Sequence, residues 1–404
     1  MSQRDFLLGY GGLIALGTIL LRLPIATTAA ESIGWFEALF TAVSAVCLVG
    51  LTVVDTATGF TPVGQSIILG LIQLGALFYL FFAVPVARRF SLSDESASAK
   101  DTLRRILLVT VLVESGAFVV IFYAGGGFGQ VTRGEQLFAT LFHTVSAFGN
   151  AGFSTLPNSL YSMPRAFVLH LAMLITFVLG ALGVDTLYDL FSRQRLRQRL
   201  ADSSIDWRPT TKLLVNTSIA LLGGGAVAIY LLEQSNTLSE LNLTEKLIGS
   251  LFQSATTRTA GFSTVAISQL TVPALWLLIG LMLIGGGVGS TAGGIKIDTF
   301  YGSLATRRNQ RGRPIKRVAR WMIGYALVVN ATGALALRLT ETDQPLILLI
   351  FEQVSAFSSV GLSPVDTATL SLAGQTIVLL SMLLGRVGIL VLFIFFTKSV
   401  ASAE

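Results

Sequence analysis

A glycine flanked by small or polar residues recurs four times along this chain, at nearly equal intervals. The four glycines are separated by 102, 109 and 100 residues. Each follows a short stretch typical of a helix, and each lies between two long apolar runs. The four segments are Leu48-Val49-Gly50, Asn150-Ala151-Gly152, Thr259-Ala260-Gly261 and Ser359-Val360-Gly361. A unit repeated four times predicts pseudo-four-fold symmetry, and rings of backbone carbonyls around such an axis form cation filters.

Glycine at these positions suits a site for a dehydrated monovalent cation. Such an ion needs several oxygen ligands, which backbone carbonyls supply without a fixed charge. Carbonyls that successively face one axis require left-handed backbone, which glycine adopts at little cost. A short helix ending at each glycine would also direct its partly negative end toward the ion. Close helix packing would explain a single glycine, but four at matching positions favour a filter.

The composition is that of a membrane protein. The 404 residues are 52% hydrophobic and 12% charged, whereas a soluble domain is about 25% charged. A membrane-spanning helix needs about 20 apolar residues, and the sequence predicts eight such spans. They cover residues 6–29, 64–87, 103–124, 165–190, 211–232, 273–300, 318–339 and 373–397. We therefore expect an all-α membrane fold.

Basic residues are concentrated in three connections, 88–105, 191–212 and 305–320. These hold 18 of the 28 lysines and arginines. The positive-inside rule assigns such loops to the cytoplasm, so with eight spans both termini are predicted to be cytoplasmic. Nucleic-acid binding by the arginine runs is the alternative. Membrane orientation is favoured because it explains all three clusters together, and no nucleic-acid partner is expected.

Each predicted repeat contains a segment too short to cross a bilayer. These segments cover 35–46, 134–147, 244–256 and 345–357, and we interpret them as half-helices that enter the membrane from outside. The non-helical backbone that follows is tolerated at membrane depth where it is buried or lines water. The basic loops mark predicted repeats at 1–95, 96–205, 206–312 and 313–404. No repeat could close a pore alone, so residues 1–404 are predicted to form a single domain.

The sixth predicted span contains an unusual density of glycine over residues 280–296. Each glycine within a helix costs about 1 kcal/mol relative to alanine, so irregular backbone lining a water-filled space is expected. A phosphate-binding loop is disfavoured because the order Gly-x-x-x-x-Gly-Lys-Ser/Thr is absent. A packing kink is the other alternative. The residues concerned are Gly285, Gly286, Gly287, Gly289, Ser290, Thr291, Gly293, Gly294 and Lys296.

Two arginines lie in apolar surroundings. Arg386 falls within the eighth span, between Gly385 and Gly388. A charge near the bilayer centre costs roughly 2.5–3.5 kcal/mol, and such residues usually face an interior or a cavity. A buried ion pair is the alternative for Arg386. Arg258 lies in the third filter-like segment and is interpreted as a structural charge that donates hydrogen bonds to carbonyls behind the filter.

The motifs together resemble the Trk/Ktr/HKT superfamily of potassium transporters over essentially the whole chain. With eight spans and no added N-terminal pair, the chain is most similar to the bacterial KtrB-type membrane subunit. The resemblance implies four M1–P–M2 repeats, with eight transmembrane helices and four re-entrant half-helices around a pseudo-four-fold pore. The residues that carry it run from Leu23-Pro24-Ile25-Ala26 through Phe40, Gly50-Leu51 and Asp55, and then through Asn150-Ala151-Gly152-Phe153, Thr256–Phe262 and Ser359–Leu362.

The same resemblance supplies the expected function and partners. K⁺ would bind at the four segments, 285–296 would be an intramembrane gating loop, and Arg386 would repel cations beneath the filter. The membrane subunit would form a homodimer on a cytoplasmic nucleotide-binding ring of the RCK type, in the bacterial plasma membrane. No covalently bound cofactor is expected. K⁺ is the expected permeant ion, with Na⁺ as the second candidate.

One departure from the family bears on selectivity. The first filter usually reads Cys-Val-Thr-Gly, whereas this chain has Cys47-Leu48-Val49-Gly50. Loss of the threonine hydroxyl matters little if carbonyls coordinate the ion. In the plant branch of the superfamily, serine at the first glycine is associated with sodium preference. Gly50 is retained, so the resemblance implies potassium over sodium.

Three other function classes fit the sequence less well. An ion-coupled symporter could use Glu114 or Asp185, which fall in apolar spans; a structural role is favoured for both. Alternating-access carriers usually show two repeats, so four repeats in one orientation fit a pore better. An intramembrane protease needs paired acids, or a serine with histidine or lysine, and no such pair is convincingly placed. We therefore expect no enzymatic activity. A membrane scaffold would leave the four glycine segments unexplained.

Overall fold

The computed structural model describes residues 3–28, 32–90, 98–124, 132–157, 159–163, 166–202, 206–304, 312–392 and 394–395. Within those ranges the regular structure is helical, in agreement with the predicted all-α class, and the extended pairings are two isolated bridges. The helices are α1 (Gln3–Leu21), α2 (Trp35–Val46), α3 (Thr56–Gly59), α4 (Pro62–Phe90), α5 (Ala99–Ala124), α6 (Arg133–Gly149), α7 (Phe167–Leu182), α8 (Val184–Phe191), α9 (Arg193–Ala201), α10 (Pro209–Glu233), α11 (Leu243–Thr256), α12 (Val272–Leu283), α13 (Ile297–Leu304), α14 (Gly312–Thr340), α15 (Leu346–Ser358) and α16 (Leu372–Leu383).

Six helical stretches in the described residues are long and apolar enough to cross a bilayer by length and composition. They are Gln3–Leu21, Pro62–Pro85, Ala99–Ala124, Pro209–Glu233, Lys316–Thr340 and Leu372–Leu392. The first is shorter than the predicted span 6–29. It ends at Leu21 because Arg22 and Pro24 follow: the proline lacks an N–H for the helix ladder.

Two of the eight predicted spans are not continuous helices. Over 165–190, the chain bends by 108° between helices α7 and α8. The bend is at Gly183, whose φ of 93° is left-handed. Over 273–300, α12 ends at Leu283 and α13 begins at Ile297. The glycine content predicted the second break, while a single Gly183 gave no comparable signal for the first.

The four predicted half-helices correspond closely to α2, α6, α11 and α15. Two of them begin with a capping box, in which side chains satisfy the free N–H groups of the first turn. Thr132 and Glu135 form the box of α6, and Asn242 and Glu245 form that of α11. Because Asn242 is the cap, α11 begins at Leu243, one residue before the predicted start.

The helices pack in a closed order around the four short ones. Each short helix contacts the long helix before it: α2 packs on α1, α6 on α5, α11 on α10 and α15 on α14. Contacts between successive groups are α4 with α6, α7 with α11, and α12 with α15. Finally α16 contacts α2, so the last group returns to the first. The ends of the short helices therefore meet at the centre of the protein.

The second basic connection is organised by a buried carboxylate. Asp189, at the end of α8, accepts a 3.0 Å hydrogen bond from the Arg199 side chain and another from the Arg208 backbone N–H. Helix α9 carries the remaining arginines and buries no residue. Residues 305–311 of the third basic connection lie outside the described residues.

Candidate functional site

Each of the four predicted segments has two left-handed residues separated by one. The second of each pair is the predicted glycine, and the first is a residue with a side chain. The pairs and their φ values are Leu48 (57°) and Gly50 (92°), Asn150 (53°) and Gly152 (71°), Thr259 (76°) and Gly261 (77°), and Ser359 (53°) and Gly361 (88°). Alternation of this kind turns successive carbonyls toward the same side, as a carbonyl-lined ion site requires.

The first left-handed residue of each pair arises from how the short helix ends. In α2, Val49 N–H donates to the Ser44 carbonyl at 2.9 Å and Leu48 N–H to the Ala45 carbonyl at 3.2 Å. This is the Schellman motif, whose C′ residue is left-handed. Helices α6 and α15 end with the same bonds. Helix α11 differs, since Ala260 N–H reaches back only four residues, to Thr256.

The glycines of the four segments each face the middle residue of the next segment. A Cβ added to Gly50 would lie 2.5 Å from the Ala151 carbonyl oxygen, and one added to Gly261 would lie 2.6 Å from that of Val360. The equivalent pairs are Gly152 with the Ala260 oxygen at 3.2 Å, and Gly361 with the Val49 oxygen. The four segments thus form a closed ring of backbone, and no side chain fits at any of the four glycines.

Buried hydroxyls hold the backbone next to the ring. Ser44 accepts a hydrogen bond from Gly50 N–H at 3.1 Å. Ser146 donates to the Phe153 carbonyl at 2.8 Å, and Thr256 donates to the Phe262 carbonyl at 2.6 Å. Sequence reasoning missed these three residues, although their place in the last turns of the short helices is a recognisable signal.

Residues 284–296 form a compact loop between α12 and α13. Gly285 N–H donates to the Ile295 carbonyl at 2.9 Å, and Ile295 N–H donates to the Leu283 carbonyl at 3.1 Å. The loop therefore leaves α12 and returns to the same point. Gly289 and Gly294 have left-handed φ values of 75° and 64°. Gly286 and Gly287 lie against α7, and Ser290 is buried. The predicted irregular backbone is present.

This loop contacts the ring directly. The Thr291 hydroxyl donates to the Phe148 carbonyl at 2.9 Å and accepts from the Asn150 side-chain amide at 2.9 Å. Gly293 N–H donates to the Thr259 hydroxyl at 3.1 Å. A Cβ at Gly293 would lie 2.7 Å from that of Ser359. Three of the four segments are therefore in contact with the loop.

The same loop forms backbone hydrogen bonds with the bend between α7 and α8. Gly287 N–H donates to the Ala181 carbonyl at 2.9 Å, and Val184 N–H donates to the Gly289 carbonyl at 3.1 Å. These bonds satisfy backbone groups that the two broken helices leave free at membrane depth. The unpredicted bend at Gly183 is thus part of the loop's support.

Arg258 also bonds to this loop. Its Nη2 donates to the Gly285 carbonyl at 3.2 Å. The prediction of a buried structural charge bonded to a carbonyl is correct, but this acceptor belongs to the loop rather than to the filter segments. Arg258 therefore links the third segment to the base of the loop.

Arg386 is enclosed and unpaired within the described part of the chain. Its side chain is 1% exposed, and its three guanidinium nitrogens have no hydrogen-bond partner among the described residues. Its Cζ lies 3.9 Å from the ring centroid of Tyr79, at cation–π distance. Lys296 Nζ lies 5.9 Å from the same ring and donates to the Ala292 carbonyl. The ion-pair alternative for Arg386 finds no support in those residues.

A π-helical turn over Leu384–Gly388 places Arg386. Such a turn leaves a carbonyl outside the normal ladder, and the Tyr325 hydroxyl donates to the Leu384 carbonyl at 3.0 Å. Gly385 packs on the end of α15, where an added Cβ would lie 3.0 Å from the Phe357 Cα. Arg386 is thereby held next to the fourth segment.

The two acids considered for ion coupling lie on different helices. Glu114, on α5, accepts a 3.3 Å hydrogen bond from the Gln73 side chain of α4. Asp185 is in the first turn of α8, after the bend at Gly183. Neither residue belongs to the four segments of the ring.

Comparisons with known proteins agree with this architecture. The family model of TrkH, described as a cation transport protein, matches residues 14–319. The Ktr system potassium uptake protein B of Bacillus subtilis is 33% identical, over 97% of this chain and 92% of that protein. The potassium/sodium uptake protein NtpJ of Enterococcus hirae is 31% identical, over 95% and 90%.

Solved structures give the same fold. The potassium transporter TrkH from Vibrio parahaemolyticus superposes with a TM-score of 0.77, covering 98% of this chain and 85% of that one at 18% identity. The family model covers most of the chain, and the KtrB protein of B. subtilis matches nearly its whole length. This chain therefore belongs to the TrkH family of cation transport proteins, and its similarity to KtrB-type members is confirmed.

Proposed function

We propose that this protein takes up potassium across the bacterial plasma membrane through a channel-like pore. Four M1–P–M2 repeats would surround the pore, with the ring of glycine segments as its filter. The observation that carries the proposal is that every glycine faces the carbonyl of the next segment's middle residue. Four neutral carbonyls around one axis suit a dehydrated monovalent cation. The names of the relatives, potassium uptake proteins, support the choice of ion.

The loop 284–296 and Arg386 are proposed to form the gate. The loop is bonded to segments of the ring through Thr291 and Gly293. Arg386 carries a buried charge beside the fourth segment, without a carboxylate partner in the described residues. A cation passing near that charge would be repelled in a medium of low dielectric. Movement of the loop and of Arg386 would then open the pore.

The assembly proposed around this pore follows the family resemblance. A homodimer, with both termini in the cytoplasm, would dock on a cytoplasmic nucleotide-binding ring. Arg193 and Arg197 are exposed on helix α9 and supply a positively charged face for such contacts. Membrane lipid would surround the apolar helices.

Cation flux into liposomes that hold the purified protein tests the function. We expect K⁺ to enter faster than Na⁺, down its gradient and without a requirement for a second ion. K⁺ flux that needs a Na⁺ or proton gradient would favour a symporter instead. Equal flux of both ions would contradict a selective filter. If neither ion moves, the Arg386→Gln variant separates a closed gate from an absent pore.

Thr291→Val should weaken the closed gate. The substitution keeps the shape of the side chain and removes two hydrogen bonds, one to the Phe148 carbonyl and one from the Asn150 amide. Since each such bond contributes about 0.5–1.5 kcal/mol and two are lost, K⁺ flux should rise between about five-fold and about 150-fold. Thr176→Val is the control, because in the described residues that buried hydroxyl bonds within its own helix, to the Ala172 carbonyl. Equal flux in the two variants would argue against a gating role for Thr291.

A further inference from the structure

Two short helices carry a buried titratable side chain at the same sequence position relative to the glycine of their segment. Glu352 on α15 and His143 on α6 each lie nine residues before the glycine of their segment. Both are fully buried. Each also reaches a serine two residues after that glycine, so the bonded residues are 11 apart in both helices.

Glu352 accepts hydrogen bonds from two side chains of the stretch that follows the fourth segment. The Ser363 hydroxyl donates to Glu352 Oε2 at 2.6 Å, and the Thr367 hydroxyl donates to Oε1 at 2.6 Å. Ser363 also contacts the Val365 carbonyl. The carboxyl group therefore fixes residues 363–367 against α15.

His143 forms the corresponding contact in the second segment. Its Nδ1 lies 2.8 Å from the Ala139 carbonyl, which can only accept, so Nδ1 carries the proton. In the neutral ring, Nε2 then accepts from the Ser154 hydroxyl at 2.9 Å. Ser154 in turn accepts from Leu156 N–H at 3.0 Å. This chain of bonds fixes the backbone after Gly152.

In the described residues, the first and third segments have no such hydrogen bond from the equivalent position of the short helix to the chain after the glycine. Thr41 occupies the equivalent place in α2, but its hydroxyl bonds to the Glu37 carbonyl of its own helix. Gln253 follows Phe252 in α11 as His143 follows Phe142 in α6, and its side-chain amide makes no hydrogen bond within the described residues. The second and fourth segments, which are opposite in the ring, are thus the two held by an acid or an imidazole.

We infer that Glu352 and His143 are positioning residues that set the ion preference of the ring. The ends of α6 and α15 set the left-handed conformations of Asn150 and Ser359, whereas His143 and Glu352 hold the chain that follows the glycines of the same segments. The hydrogen bonds of Glu352 and His143 fix the chain immediately after the fourth and second segments. Loss of these bonds lets the carbonyls of the ring move away from the spacing that suits K⁺. The inference rests on the proposed function.

Ion-dependent thermal stability tests this role of Glu352 and His143 without requiring an open gate. An ion that binds only the folded protein raises the unfolding midpoint, and at equal concentration it does so more for the ion that binds more tightly, by an amount that grows with the logarithm of [L]/Kd. For the purified protein we expect a higher midpoint in KCl than in NaCl at equal ionic strength. Glu352→Leu should reduce that difference to less than about half, and Glu352→Gln, which can bond to both hydroxyls, should restore it. A purely structural role would lower both midpoints and leave the difference unchanged.

Glu341→Leu is the matched control. Glu341 also binds a serine, Ser371, but lies outside the ring segments. Its loss should leave the KCl–NaCl difference intact. If Glu352→Leu does not fold, Ser363→Ala removes the Ser363–Glu352 bond from the other side, and Ser154→Ala removes the corresponding bond to His143. If the folded variants keep the full difference between the midpoints in KCl and NaCl, the role of Glu352 and His143 is overturned and the proposed filter is not. No difference between the salts in the unsubstituted protein would overturn the proposed filter as well.

Discussion

Gly50→Ser should abolish selective potassium flux. Gly50 has a φ of 92°, a conformation that costs a residue with a side chain about 1–3 kcal/mol. The new Cβ would also lie 2.5 Å from the Ala151 carbonyl oxygen, so one of the two must move. Because that oxygen is one of the four carbonyls of the ring, its displacement would change the proposed set of ion ligands. We expect the ratio of K⁺ to Na⁺ flux to fall at least about tenfold, equivalent to about 1.4 kcal/mol.

Gly116→Ala provides the control for a glycine outside the ring. Gly116 lies within α5, and an added Cβ there meets nothing within 4 Å. Alanine also has the higher helix propensity, so this variant should fold and conduct as the unsubstituted protein does. Retained selectivity in Gly50→Ser, with the protein folded, would show that Gly50 does not line the path of the ion.

Arg386→Gln should give high flux in the absence of any partner. Glutamine keeps much of the side-chain length and removes the charge that would oppose a cation. At an effective dielectric constant of about 20, a unit charge about 6 Å from the ion contributes about 3 kcal/mol, on the order of 100-fold in rate. Flux through the purified protein in liposomes measures this directly.

Two further variants test whether the charge of Arg386 is the barrier to cation flux. Arg386→Lys keeps the positive charge over Tyr79 and should stay closed. Arg338→Gln removes an arginine from the last turn of α14, away from the ring, and should not change flux. If Arg386→Gln and Arg386→Lys conduct equally, the charge is not the barrier.

The sequence pattern predicted much of the ring. The regular spacing of Gly50, Gly152, Gly261 and Gly361 identified the segments, and the short apolar stretches before them identified the half-helices. The conformations of Leu48 and Thr259 could not be foreseen, because neither residue type favours left-handed φ. Those conformations follow from how each helix ends, which depends on hydrogen bonds across several residues.

The loop and its surroundings were predicted less completely. The glycine density of 285–294 indicated irregular backbone, since each glycine weakens a helix. The bend at Gly183 gave no such signal: one glycine in an apolar run is compatible with an ordinary helix. The contact of Arg386 with Tyr79 joins residues 307 positions apart, and no local pattern contains that distance.

The most direct test of the account is to locate the ion itself. A crystal structure of the protein grown in rubidium, a heavier analogue of potassium, would show the ion by anomalous scattering. We predict a peak inside the ring, coordinated by the carbonyl oxygens of Val49, Ala151, Ala260 and Val360. A ring without an ion, or a peak beside Glu114 or Asp185 instead, would contradict the central claim that these four carbonyls form the filter.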